Sequence, residues 1–201
     1  MPEIRPYAPE DRDAVYDVCV RTADAGGDAR GKWSTDDLMP DLFAGPYLHL
    51  EPALAFVLDD GGRAVGYVLG TRDTAAFDVA MRREWAPRVA GKYAGPASDA
   101  EKDLLGMLFG PARPVPPELA GHPAHLHIDL LPAYQRQGYG RALIRAFLAA
   151  AAEAGAPAVH LAVLTTNTAA RAFYDRLGFA VLPVPDPGPV TYLGRSTAPL
   201  R

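Results

Sequence analysis

Residues 130–157 read LLPAYQRQGYGRALIRAFLAAAAEAGAP, and this stretch decides the fold. Folding alone explains its downstream half. Leu143, Ile144, Phe147 and Leu148 recur at helical spacing as one apolar face, and Gly155 followed by Pro157 is a helix stop. The upstream half asks for more. Gln135, Arg136, Gln137, Gly138, Tyr139, Gly140 and Arg141 put small residues where a helix begins, leaving its first amides unpaired and the backbone approachable. With the Arg136 and Arg141 side chains beside them, such amides hold an anion of the pyrophosphate kind; a plain tight turn is the alternative. A P-loop would need a Gly-Lys-Ser/Thr ending that is absent, and a dinucleotide fingerprint a third glycine where Leu143 stands.

Working outward, AHLHIDLL before the turn is a strand, and the turn leads into a helix predicted over 138–154. AVHLAVL and a helix predicted over 168–177 repeat the arrangement, so the strands near residues 128 and 161 are expected to pair in parallel. Upstream, ALAFVLDDGGRAVGYVLGT holds two apolar runs around Asp-Asp-Gly-Gly, an antiparallel hairpin signal. EIRPY opens the chain as a strand. An amphipathic helix over 10–23 follows, with Val15, Val18 and Cys19 inward, then a short helical piece over 37–43; FAVLPV and VTYLGR are terminal strands. The expected class is α/β, a mixed central sheet of about six or seven strands flanked by helices. Over residues 74–123, helical patterning in TAAFDVAMRREWAPRV and SDAEKDLLGMLF precedes the loop GPARPVPPELAGHP. A helical insertion between the third and fourth strands results, long enough to serve as a lid or substrate wall. Residues 1–201 read as a single domain, with no internal repeat.

Composition sets the outer bounds. With 49% hydrophobic residues, 22% charged residues and a net charge of −4, the chain resembles neither a disordered protein nor one that coats nucleic acid. No segment reaches the apolar length of a membrane span, and the N-terminus lacks a secretory signal's apolar run, so the expected location is cytoplasmic. The single cysteine, Cys19, reads as buried filler.

A second clue lies in LTTNTAARAFYDRLGF. Asn167, Ala170, Arg171 and Tyr174 share one helix face, Ala169, Phe173 and Leu177 an adjacent one, and Asn167 or Thr166 is a natural N-cap. LLPAYQRQGYGRAL resembles the Gln/Arg-x-x-Gly-x-Gly/Ala signature of the GCN5-related N-acetyltransferases, and NTAARAFYDRLGF resembles that family's second cofactor-binding segment. The resemblance implies acetyl-CoA as cosubstrate, with its pyrophosphate on the amides of Gln137 to Arg141. It implies backbone contacts from Leu130 and Leu131 to the pantetheine arm and the thioester carbonyl, and contacts from Asn167 and Ala170 along the same arm. By the same resemblance Tyr174 is the acid that protonates the departing thiolate. IRPYAPEDRDAVYDVC, LFAGPYLHLEPALAFVLDDGGRAVGYVLGT, WAPRVAGKYAGP and LGRS are similar to the C-terminal acetyltransferase-like domain of animal O-GlcNAcases. The chain is too short to carry a glycoside hydrolase as well, so it resembles a stand-alone bacterial version of that domain. Gln135, Gly138 and Gly140 keep here the signature that the animal domain has lost.

The acceptor side is less determined. An amine nucleophile must give up a proton, and His125, His127 and Asp129 share one face of AHLHIDLL. Asp129 and His127 are therefore candidate bases, with Asp73 after the hairpin as a third that also lies where acceptor would bind. Trp85 and Tyr93 in the insertion are candidate acceptor walls. REWAPRVAGKY serves equally as a homodimer surface. His122, His125, His127 and Asp129 contain zinc-donor types, a rival reading, although the expectation adopted is no metal. Direct acetyl transfer to an amine of a small molecule, peptide or protein is the expected activity, with a catalytically silent acetyl-CoA-binding or protein-binding module as the alternative.

Overall fold

A run as uniformly apolar as AVGYVLGT, residues 64–71, calls for cover on both faces. In the computed structural model, which describes residues 1–95, 97–112 and 114–200, this run lies inside a seven-stranded sheet. The chain runs through β1 (Glu3–Pro6), α1 (Arg12–Val20), α2 (Leu38–Phe43), α3 (Gly45–Leu50), β2 (Phe56–Asp59) and β3 (Ala64–Thr71). The insertion supplies α4 (Thr74–Ala80), α5 (Ala86–Val89) and α6 (Asp99–Phe109). β4 (Ala124–Leu130), α7 (Tyr139–Glu153), β5 (Ala158–Leu164), α8 (Thr168–Arg176), β6 (Ala180–Val181) and β7 (Val190–Ser196) complete it. Pro96 and Arg113, which fall within the predicted insertion, and the terminal Arg201 lie outside the described residues.

The sheet order is β1-β2-β3-β4-β5-β7-β6, and among the described residues only β4 and β5 pair in parallel. All eight residues of β3 are buried, with α1 packed on the sheet and α7 packed against β2, β3 and β4. Leu126 and the facing Gly70 belong to the α7 side: a Cβ built on Gly70 would lie 2.7 Å from Phe147 Cζ. Leu143, Ile144, Phe147 and Leu148, the predicted apolar face of α7, are all buried. Among the described residues no helix is long and apolar enough to cross a membrane.

Some local details departed from the sequence pattern for identifiable reasons. The helix predicted over 10–23 divides into a 3₁₀ turn, Pro9–Asp11, and α1. It stops early because the Thr22 hydroxyl donates to the Val18 carbonyl at 2.8 Å, a local bond that competes with further helix. α3, which the sequence pattern does not predict, starts with Pro46 in its first turn, a position that suits proline. In the insertion a π-helical turn, Met81–Trp85, separates α4 from α5 and sets Trp85 inward.

Candidate active site

β4 and β5 each span seven residues yet pair only at Ala124↔Val159 and His125↔His160. Past those pairs the strands no longer pair, and a cavity of about 850 Å³ opens beside the C-terminal half of β4. Ile128, Asp129 and Leu130 line it from β4, and Gln135, Arg136, Gly138, Gly140 and Arg141 from the turn. Asn167, Ala170, Phe173 and Tyr174 close the α8 side, while Thr22 reaches it from the end of α1.

The turn is built for backbone access. Arg136 and Gly138 hold left-handed φ values of 61° and 89°, an alternation that turns successive amides into a concave, anion-accepting nest ahead of the fifteen-residue α7. The helix dipole favours negative charge at this end. Gln135 braces the turn by donating from Nε2 to the Leu130 carbonyl at 2.9 Å, and Gln137 by donating to the Ala133 carbonyl at 2.6 Å. A Cβ on Gly140 would come within 3.2 Å of Phe173 Cζ, so this glycine lets α8 approach the first turn of α7. Gln137 and Tyr139 do not line the cavity.

Leu130 and Leu131 separate in role. The Leu131 amide already donates to the Val65 carbonyl at 3.0 Å and its side chain is buried, so it has no backbone donor to offer a ligand. Alternation in an antiparallel ladder then turns the backbone groups of Ile128 and Leu130 toward β5, where pairing has ended. Of the two leucines, only Leu130 lines the cavity.

Asp129 combines a cavity position with strong perturbation. Burial raises its carboxyl from 3.8 to about 6, partly offset by Tyr67, whose hydroxyl donates to Asp129 Oδ2 at 2.7 Å. Tyr67 faces Asp129 across the β3–β4 ladder. His125 and His127 lie on the same face but are held elsewhere: the Tyr47 hydroxyl sits 2.7 Å from His125 Nε2 and 3.0 Å from His127 Nε2. Thr74 Oγ1 donates to the Pro123 carbonyl at 2.7 Å, and its remaining contact, at 2.8 Å, is with His125 Nδ1. The hydrogen-bond pattern therefore puts His125's proton on Nδ1, makes its Nε2 the acceptor of Tyr47 O–H, and puts His127's proton on Nε2. Burial keeps both rings neutral, lowering His127 to about 4 and holding His125 well below the usual histidine value. Among the described residues no cluster of three or more His, Cys, Asp or Glu is placed to hold a metal ion.

Across the cavity, Tyr174 is 9% exposed, and its ring meets Phe173 and Phe179 edge-on. Burial, and then the charge of Asp129, raise its phenol above the usual tyrosine range, so it stays protonated. Its hydroxyl bonds to no group among the described residues. Asn167 caps α8, accepting from the Ala170 amide at 3.0 Å while lining the cavity. Cys19 is buried, and its thiol is pushed up to about 12 by burial and the charge of Asp129.

The other sequence candidates lie away from this centre. Asp73 is exposed and caps α4 through the Ala76 amide at 3.0 Å. Trp85 donates to the Asp41 carbonyl at 2.7 Å, and the Tyr93 hydroxyl to Asp41 Oδ2 at 2.8 Å; neither side chain lines the cavity. Sequence reasoning missed Thr22, Phe173 as a lining residue, and Tyr67. Tyr67 was the most accessible of these, because it occupies the same hairpin strand whose partner carries Asp129.

Comparison with known proteins agrees with this geometry. SsHAT, known from a crystal structure, superposes with a TM-score of 0.91 at 56% identity, covering 98% of each chain. Protein O-GlcNAcase of Rattus norvegicus is 29% identical over 200 residues, and that of Mus musculus equally so; each match covers 96% of this chain. The chain spans 22% of the length of these curated relatives. The structure of yncA from Salmonella typhimurium, solved with its cofactor acetyl-CoA, shares the fold at a TM-score of 0.56 and 14% identity, over 98% of this chain and 94% of that one. The model of the acetyltransferase (GNAT) family matches residues 24–179, and with the parted β4 and β5 and the glycine turn at their mouth, the chain belongs to that family.

Proposed function

We propose that the protein transfers an acetyl group from acetyl-CoA directly to an amine, within the single domain formed by residues 1–201. One observation carries the reading: a single cavity joins the glycine nest to a carboxylate with a pKa near 6 and a protonated tyrosine. The nest fits a pyrophosphate because its amides converge at a helix N-terminus and Gly138 supplies a positive φ. Amides over residues 137–141, with Arg136 and Arg141, would hold the pyrophosphate, and Leu130, Asn167 and Ala170 would follow the pantetheine arm. When bound, acetyl-CoA supplies an activated acetyl thioester.

The chain's own residues supply the proton chemistry. Asp129 is ionised above pH about 6 and takes a proton from the acceptor ammonium at its carboxylate, directly or through water. Tyr67 holds that carboxylate in place. Tyr174 carries a proton at its hydroxyl for the departing sulfur, and neighbouring Phe173 and Phe179 exclude water from its ring. The only cysteine is a buried thiol, which favours direct transfer over an acetyl-enzyme.

Calorimetric titration with acetyl-CoA, followed by product assays over a panel of amines and peptides, tests the reading. Gly138→Val should weaken acetyl-CoA binding by about tenfold or more, because a β-branched residue is strained at φ 89°. Unchanged affinity would remove the pyrophosphate assignment. Tight binding with no product from any acceptor would leave a holding module in place of a transferase.

A further inference from the structure

A second concavity lies at the other end of α1. Arg12 and Thr22, which border the two cavities, are ten residues apart, roughly 15 Å along a helical path. This pocket holds about 360 Å³, at the small end for ligand sites. Its floor is apolar: the Trp85 indole, Leu48 and Val89 are all buried. Gly45 lets the indole lie against α3, since a Cβ there would fall 2.4 Å from Trp85 Cζ2.

The rim carries one sign of charge. Arg12, Arg88 and Lys92 border the pocket together with His49, and no lining residue is acidic, although the whole chain carries a net charge of −4. Two of these cations are already engaged. Lys92 pairs with Asp37 at 2.7 Å and Asp41 at 2.8 Å, and Arg12 lies over the Tyr16 ring at 4.3 Å and pairs with exposed Asp13 at 3.1 Å. Arg88 is exposed and has no ion-pair partner among the described residues. His49 packs its ring against Trp85, at 5.7 Å between centroids.

We infer that this pocket binds a small organic anion, a phosphate or carboxylate on a flat apolar body. Arg88 grips the anion with its planar donor fork, Arg12 adds field, and the body lies on the Trp85 indole. The site is separate from the glycine nest and takes part in no step of acetyl transfer.

Phenyl phosphate is the probe. Trp33 and Trp85 are the only tryptophans, so a Trp33→Phe chain reports from Trp85 alone by fluorescence. Saturable one-to-one binding is expected, with phenol and inorganic phosphate each weaker by about tenfold or more because each lacks one half of the ligand. Arg88→Glu, at an exposed position, should weaken phenyl phosphate by about tenfold or more, while Gly138→Val leaves it unchanged. The inference fails if no saturable response appears, if Arg88→Glu binds as well as the parent, or if phenol matches phenyl phosphate. Binding lost in Gly138→Val but kept in Arg88→Glu would put the anion in the nest and also overturn it.

Discussion

The two concavities of this protein are made in opposite ways. Backbone makes the larger one: two strands stop pairing, Arg136 and Gly138 take positive φ, and Gly140 admits a neighbouring helix. Side chains make the smaller one, and two of them, Trp85 and Lys92, are held from behind by one buried acidic residue outside its lining. Asp41 is 0% exposed and accepts from Tyr16 and Tyr93 at 2.8 Å each and from Lys92 at 2.8 Å, while its carbonyl takes the Trp85 indole N–H. That one residue ties α1, α2 and the insertion together. Regions shaped by backbone tolerate change in most side chains, whereas regions shaped around a buried charge fail when that charge is removed.

If the comparison is right, variants should divide accordingly. The largest expected effect is chemical: Asp129→Asn should lower turnover by about 100 to 10,000-fold while acetyl-CoA still binds, as calorimetry beside steady-state assays would show. The parent's kcat/KM should rise with pH through about 6, and the variant should lose that limb. Because the folded carboxyl sits near 6 against 3.8 unfolded, it contributes stability below pH about 4 that disappears as pH rises through 6. Denaturant midpoints should therefore decline over that window in the parent and not in Asp129→Asn.

Next comes Asp41→Ala, expected to cost about 3 kcal/mol or more in unfolding free energy because Tyr16, Tyr93 and Lys92 lose their shared acceptor. Acetyl-CoA affinity of the remaining folded chain should stay within about twofold; a large loss would break the division between the two regions. Tyr174→Phe should lower kcat by about tenfold to 100-fold with little change in acetyl-CoA affinity. An unimpaired rate with the best acceptor would remove its acid role. Smallest is Gly140→Ala, where the Phe173 ring must yield a few tenths of an ångström. A loss of about 1 kcal/mol or less, read from thermal unfolding, is expected.

The same division governs what the sequence reveals. Backbone demands leave marks in consecutive residues: a positive φ asks for glycine, a helix end asks for Asn167, and a doubly covered strand reads as an apolar run. The strand–turn–helix order, the parallel pair and the nest at 135–141 were legible for that reason. The Asp41 hub was not, because its partners stand 25 and more residues away and its own sequence neighbours signal nothing. Trp85 and Tyr93 read in sequence as walls of the acceptor groove, yet neither lines the larger cavity, because an aromatic residue in a loop-rich insertion carries no mark of its distant acceptor. Asp73 misled similarly: a carboxylate after a strand serves a helix cap as readily as catalysis. Asp129 lay between these cases, its face set by period-two alternation and its raised pKa set by burial in the fold, against the lowering hydrogen bond from Tyr67.

The parting of β4 from β5 also bears on a hazard that every sheet faces. Backbone donors and acceptors left without a neighbouring strand invite other chains to add to them and seed aggregates. Here that vulnerable border lies in the middle of the sheet, flanked by α7 and α8. A slender guest carrying amides of its own, as proposed for the pantetheine arm, would add to β4 much as an extra strand does. A recognition groove and a safeguard against self-association thus arise from the same missing rungs.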